Sequence, residues 1–123
     1  MPFEVFNRSA TRAAEKPFVT IQKKGIFAFN HAAYVALGEP QAVQLLFDKA
    51  NRVVGFRASD PDDPHVNAVR DNAKHTTHMV PGTAFTKHYG IPTDIARRWP
   101  ARINGDGILT IDLKEPPSEV SRP

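Results

Sequence analysis

The chain has 123 residues, no cysteine, a formal net charge of +3 and a hydrophobic content of 41%. That length suits one compact domain, or two small subdomains sharing a core. The absence of cysteine excludes disulfides, thiolate zinc sites and a cysteine nucleophile, and no apolar run reaches the roughly 18 residues that a spanning helix needs.

Residues 1–17, MPFEVFNRSATRAAEKP, lack the apolar block and small-residue cleavage site of a secretory signal, so the expected compartment is the cytoplasm, with no membrane partner. Within this arm Phe3–Phe6 alternates and suits a short strand. Phe18–Gln22 (FVTIQ) is rich in β-branched residues, Lys23-Lys24-Gly25 supplies turn chemistry, and IFAF resumes a strand, which predicts a hairpin. Asn30 then stands where a helix N-cap is needed, because its side-chain oxygen can accept a first-turn N–H. In HAAYVALG, Ala33 and Leu37 share one face, Gly38 offers a left-handed stop and Pro40 forbids continuation.

AVQLLFD and RVVGFRA read as two further strands around a KAN turn, giving a ββαββ unit over residues 18–58. The acidic, proline-punctuated SDPDDP, residues 59–64, is the expected linker. Over residues 65–113 the order recurs. HVNAVR and HTTHMV suit strands, Gly82 and Thr83 stand where the first helix has its cap, and AFTKHYG replaces AAYVALG. With an offset of 52, Ala32, Gly38 and Pro40 match Ala84, Gly90 and Pro92, while the facing pair Ala33 and Leu37 becomes Phe85 and Tyr89. ARRWPARI and GILTIDL close the second unit around NGDG. Residues 114–123, KEPPSEVSRP, carry too little apolar surface to repay ordering, which predicts a disordered tail. The expected fold class is therefore α+β: two ββαββ-like halves forming a swapped-hairpin-like or small barrel-like β core with two short helices. The competing arrangement is a single α+β sheet wrapping two unrelated helices.

Residues Phe18 to Arg57, VTIQKKGIFAFNHAAYVALGE followed by VQLLFD and VVGFR, resemble the swapped-hairpin domain of AbrB and MazE-type transcription factors. In that family two ββαββ units interlock and basic residues on one face contact DNA. The resemblance implies a cytoplasmic DNA-binding transcriptional regulator without a cofactor, a homodimer or a covalently linked pair of units, and double-stranded DNA as partner. This chain departs from the family pattern at two places. It has Gly25-Ile26 where the family usually has Gly-Arg, and Asn30 where a proline opens the helix; the missing arginine removes a bidentate contact.

Residues 1–58 hold eight Lys/Arg against four Asp/Glu, and residues 59–123 eight against nine, so excess positive charge falls in the first unit. The candidate nucleic-acid contacts are Lys23 and Lys24 at the hairpin tip, His31 after the cap, Arg52 and Arg57 flanking the fourth strand, and Arg97 and Arg98 beside Trp99. Each has a plainer reading: a solvated turn for the lysines, a first-turn surface residue for His31, and an internal cation–π contact for the arginines at Trp99 rather than base stacking. Five histidines raise metal chemistry, through His65, His75, His78 or His88. However, His75 and His78 point to opposite faces of an extended strand, and no HExxH, phosphate loop, GxSxG or paired-carboxylate signature is present. No catalytic or metal residue is therefore assigned. A protein-interaction module of antitoxin type, using exposed strand edges or the proline-rich tail, is the first alternative, and a small His-based metal-dependent enzyme the second.

Overall fold

A computed structural model describes residues 16–71 and 77–119 of the chain. The Phe3–Phe6 strand, most of the N-terminal arm, His75 and the last four residues lie outside the described residues. The described chain is α+β. In order it forms β1 (Phe18–Ile21), a tight turn (Lys23–Gly25), β2 (Phe27–Asn30), α1 (His31–Ala36), β3 (Ala42–Asp48) and β4 (Val53–Ser59). It continues with β5 (Asn67–Ala68), β6 (Arg70–Asp71), β7 (Thr77–Val80), α2 (Thr83–His88), β8 (Arg97–Pro100), β9 (Arg102–Ile103), β10 (Leu109–Asp112) and β11 (Ser118–Glu119).

These strands build two antiparallel sheets, in the orders β11-β8-β1-β2-β7-β6 and β5-β3-β4-β10-β9. Period-2 alternation sets the inner faces: Val19 and Ile21 of β1, Phe27 and Phe29 of β2, Val54 and Phe56 of β4, and Leu109 and Ile111 of β10 are all buried in one core. Phe56 from one sheet meets Phe27 and Phe29 from the other edge-on, at centroid distances of 5.1 and 4.9 Å. Each such pair adds about 0.5–1.5 kcal/mol beyond its area burial.

HVNAVR and ARRWPARI are each expected as one strand, and each is divided between the sheets. Val69 separates β5 from β6, and its N–H bonds to Gln41 O at 2.9 Å; Ala101 separates β8 from β9, and its N–H bonds to Pro17 O at 3.0 Å. At Val69 the chain leaves the five-stranded sheet for the six-stranded one, and at Ala101 it passes back.

The helices are six residues each, with bounds 52 residues apart, and each is followed by a glycine in the left-handed region, Gly38 at φ 86° and Gly90 at φ 64°. Their inward residues are those expected: Ala33 and Leu37 enter the core from α1, while Phe85 and Tyr89 pack against it from α2. The N-termini differ. Asn30 Oδ1 accepts from Ala33 N–H and from Phe18 N–H, both at 3.0 Å, and its Nδ2 donates to Lys16 O at 2.8 Å, so one amide caps α1 and fastens the start of β1. At α2, Gly82 offers no side chain, and none would fit, because a Cβ there would overlap the buried Phe27 ring and lie 2.8 Å from Gly25 O.

Residues up to Glu119 do not behave as the free tail expected from composition. Glu115 Oε1 accepts from Arg102 Nη1 at 2.7 Å, Glu115 O accepts from Trp99 Nε1 at 3.1 Å, and β11 pairs with β8 through Ser118↔Arg98 and Glu119↔Arg97. Ordering is repaid here by backbone pairing and by satisfying a buried indole N–H rather than by apolar burial.

Candidate functional site

The β1–β2 turn places Lys24 at φ 73°, a left-handed position that a lysine adopts at a cost of about 1 kcal/mol. Gln22 and Ile26 close the turn through Gln22 N–H to Ile26 O at 2.8 Å and Gly25 N–H to Gln22 O at 3.0 Å. Gly25, at φ 85°, is buried against α2, where a Cβ would overlap Thr86 Oγ1, and Thr83 Oγ1 donates to Lys24 O. The turn backbone is thus clamped to the first turn of α2, while the Lys23 and Lys24 side chains remain exposed.

Beyond α2, which is about 9 Å long, lies the β3–β4 turn. Lys49 Nζ sits 5.9 Å from the Tyr89 ring centroid, and Arg52 lies 5.4 Å from the Phe47 ring, which itself packs on Tyr89 at 4.6 Å. Lys87, in the last turn of α2, is exposed. Arg52 and Arg97 line one hollow together with Trp99. Cations therefore stand at both ends of α2: Lys23 and Lys24 on the turn clamped to its first turn, and Lys49 and Arg52 on the β3–β4 turn packed against Tyr89 at its far end. Asp48, in the β3–β4 turn, accepts from Asn51, and Asp94 accepts from Arg97 Nη1 at 3.1 Å. Those hydrogen bonds hold both carboxyls below the usual aspartate range.

The other expected contacts lie elsewhere. Arg57 is on the outward side of β4, where Nε donates to Gln44 Oε1 at 2.9 Å, and Gln44 Nε2 donates to Asp63 Oδ2 at 3.3 Å. Arg98 is on the outward side of β8, 4.7 Å from the Phe18 ring. Because the two sheets pack through their inner faces, Arg57 and Arg98 stand on opposite outer surfaces. Trp99 is buried by the protein itself, as the internal reading expects, but its partner is the Glu115 carbonyl; among the described residues the cation–π contacts fall on Phe18, Phe47 and Tyr89.

His31 belongs to a cluster that spacing gives no reason to expect. His78, only 3% exposed, has Nδ1 2.6 Å from Asp71 Oδ1 and Nε2 3.3 Å from His31 Nδ1. The Tyr34 ring stacks on His78 at 3.8 Å, and its hydroxyl donates to Pro40 O at 2.9 Å. Burial, then the charges of Asp71 and Glu39, raise the Tyr34 phenol above its ordinary range. His65 and His88 are exposed and separate from this cluster, and no group of three or more acidic or histidine side chains among the described residues is arranged to hold a metal ion. Nor, among them, is any helix long and apolar enough to cross a membrane.

No family model, no curated protein and no solved structure matches the chain.

Proposed function

We propose that the chain is a duplex-DNA-binding regulator of AbrB-like type, built from two copies of one ββαββ unit, and that the cations at the two ends of α2 form its phosphate-contacting surface. The observation that carries the DNA reading is that α2 joins two cationic turns, held at its first turn to the Lys23–Lys24 tip and at its far end, through Tyr89 and Phe47, to the turn bearing Lys49 and Arg52. Ammonium groups on such turns act as point charges on duplex phosphates. The repeat is supported by strand pairing. β1–β2 in the first half has its counterpart in β6–β7, and β3–β4 in β9–β10, while β2–β7 and β4–β10 join corresponding strands of the two halves. On this reading one chain holds both units that the AbrB-like arrangement requires. Arg57, Arg98 and His31 then serve the fold, and the antitoxin-like alternative is met by an absence of DNA binding together with copurification of a specific protein.

The test is fluorescence anisotropy with a labelled duplex across a salt series. Engagement of about four phosphates gives a log–log slope near −3.6, and Lys23→Glu/Lys24→Glu should weaken binding and flatten that slope by about 2. Affinity that stays level between low and moderate salt, or an unchanged slope in the double variant, refutes the assignment.

A further inference from the structure

We propose that the hollow beside β8 is a binding site for a small aromatic carboxylate, an inference that does not depend on the DNA reading. The hollow measures about 330 Å³, at the small end of ligand pockets, which suits an acid the size of benzoate or somewhat larger, about 9–15 non-hydrogen atoms. Its lining combines two cations with apolar groups and includes no acid among the described residues. The indole of Trp99 is held in place by its N–H bond to Glu115 O, and Pro92 and Pro117 add flat, rigid walls, so an aromatic ring finds surfaces that need no reordering.

The charge balance points to a carboxylate. Arg52 is half-buried, rests on Phe47, and has no carboxylate partner among the described residues. Arg97 is anchored through Nη1 to Asp94, which orients the guanidinium without making Asp94 part of the lining. Arg52 therefore faces this apolar space without a carboxylate among the described residues to balance it, and a bound carboxylate supplies that charge while accepting charge-assisted hydrogen bonds. The backbone adds a second observation. Arg52 occupies the left-handed region at φ 55°, where glycine or asparagine is unstrained and arginine is not. The hairpin therefore carries a conformational penalty for keeping a guanidinium at this point.

Trp99 is the single tryptophan of the chain and forms part of the wall, so its emission reports occupancy directly. Titration of the intact protein, without DNA, with benzoate should give a saturable change in fluorescence with a Kd below about 1 mM, confirmed by calorimetry. Benzamide, which keeps the ring and loses the charge, should give none, and acetate should bind at least about tenfold more weakly. Arg52→Asn suits the left-handed backbone, so it should raise the benzoate Kd by at least about tenfold with the fold intact by circular dichroism. If that variant fails to fold, Arg97→Gln provides the same comparison. The proposal is overturned if benzoate gives no saturable response below 1 mM, if benzamide binds as well, or if the folded arginine variant binds benzoate like the parent. Loss of duplex binding alone leaves these outcomes unaffected.

Discussion

Replacing Gly82 by alanine adds one methyl group at the point where the hairpin tip, the aromatic core and α2 meet. The new Cβ would overlap two atoms of the Phe27 ring and approach Gly25 O at 2.8 Å. Neither obstacle is a flexible side-chain end. Phe27 is fully buried, edge-on to Phe56 at 5.1 Å and Phe85 at 5.8 Å, and Gly25 is itself pinned against Thr86. Overpacking a close-packed core costs about 1–3 kcal/mol, and with a ring and a backbone carbonyl both in the way the upper end applies. At about 4 °C per kcal/mol for a chain of 123 residues, the thermal midpoint should fall by roughly 12 °C. Calorimetry or far-UV circular dichroism measures this, with Gly105→Ala as the control, since nothing lies within 4 Å of a Cβ there. The control should stay within about 0.5 kcal/mol of the parent. Adding Phe27→Leu to Gly82→Ala should recover part of the loss, since the double-mutant cycle then removes the overlapping ring. A midpoint lowered by less than about 4 °C, or additive effects in the cycle, would show that the contact does not constrain the tip.

Asn30→Ala removes a helix cap and two further hydrogen bonds and should cost about 2–3 kcal/mol in urea unfolding, whereas Asn30→Asp keeps both acceptor bonds and should lose less. Equal losses would refute the cap assignment. For Tyr34, the raised phenol pKa means that the folded state holds its proton more tightly than the unfolded chain. The associated stability is fully present below pH of about 10 and is lost as pH rises through the folded-state value. The thermal midpoint of the parent should therefore fall more steeply above that pH than that of Tyr34→Phe, and parallel curves would contradict the burial of the hydroxyl.

Local patterning reported the strands and helices well. β3 matches AVQLLFD residue for residue, and both helices end two residues before the Gly of a Gly-Glu-Pro or Gly-Ile-Pro stop. Alternation fixes which face of a strand is buried, and a cap residue fixes where a helix starts. Alternation does not say which strand lies alongside, so HVNAVR and ARRWPARI read as single strands although each passes between sheets. Contacts across long separations were equally hidden: His31 and His78 are 47 residues apart, and nothing in the spacing of either signals the other. The basic residues were legible as residue types, but their grouping was not. Arg52 and Arg97 share a hollow, while Arg57 and Arg98 face away from each other, because register decides orientation. The reason for Gly82 lies in the Phe27 ring, far from it in sequence, so a local reading finds only an N-cap without a side chain.

The corners at Val69 and Ala101 bear on how the molecule comes apart. A segment shared by two layers transmits strain from one to the other, so neither layer can peel away while its neighbour stays intact. Amide protons of β4 and β2, in different sheets, should consequently exchange through the same opening event, and the exchange rates of both should respond together to denaturant. Through this sharing, a chain with a modest interior and several two-residue strands gains the all-or-none behaviour of a single cooperative body.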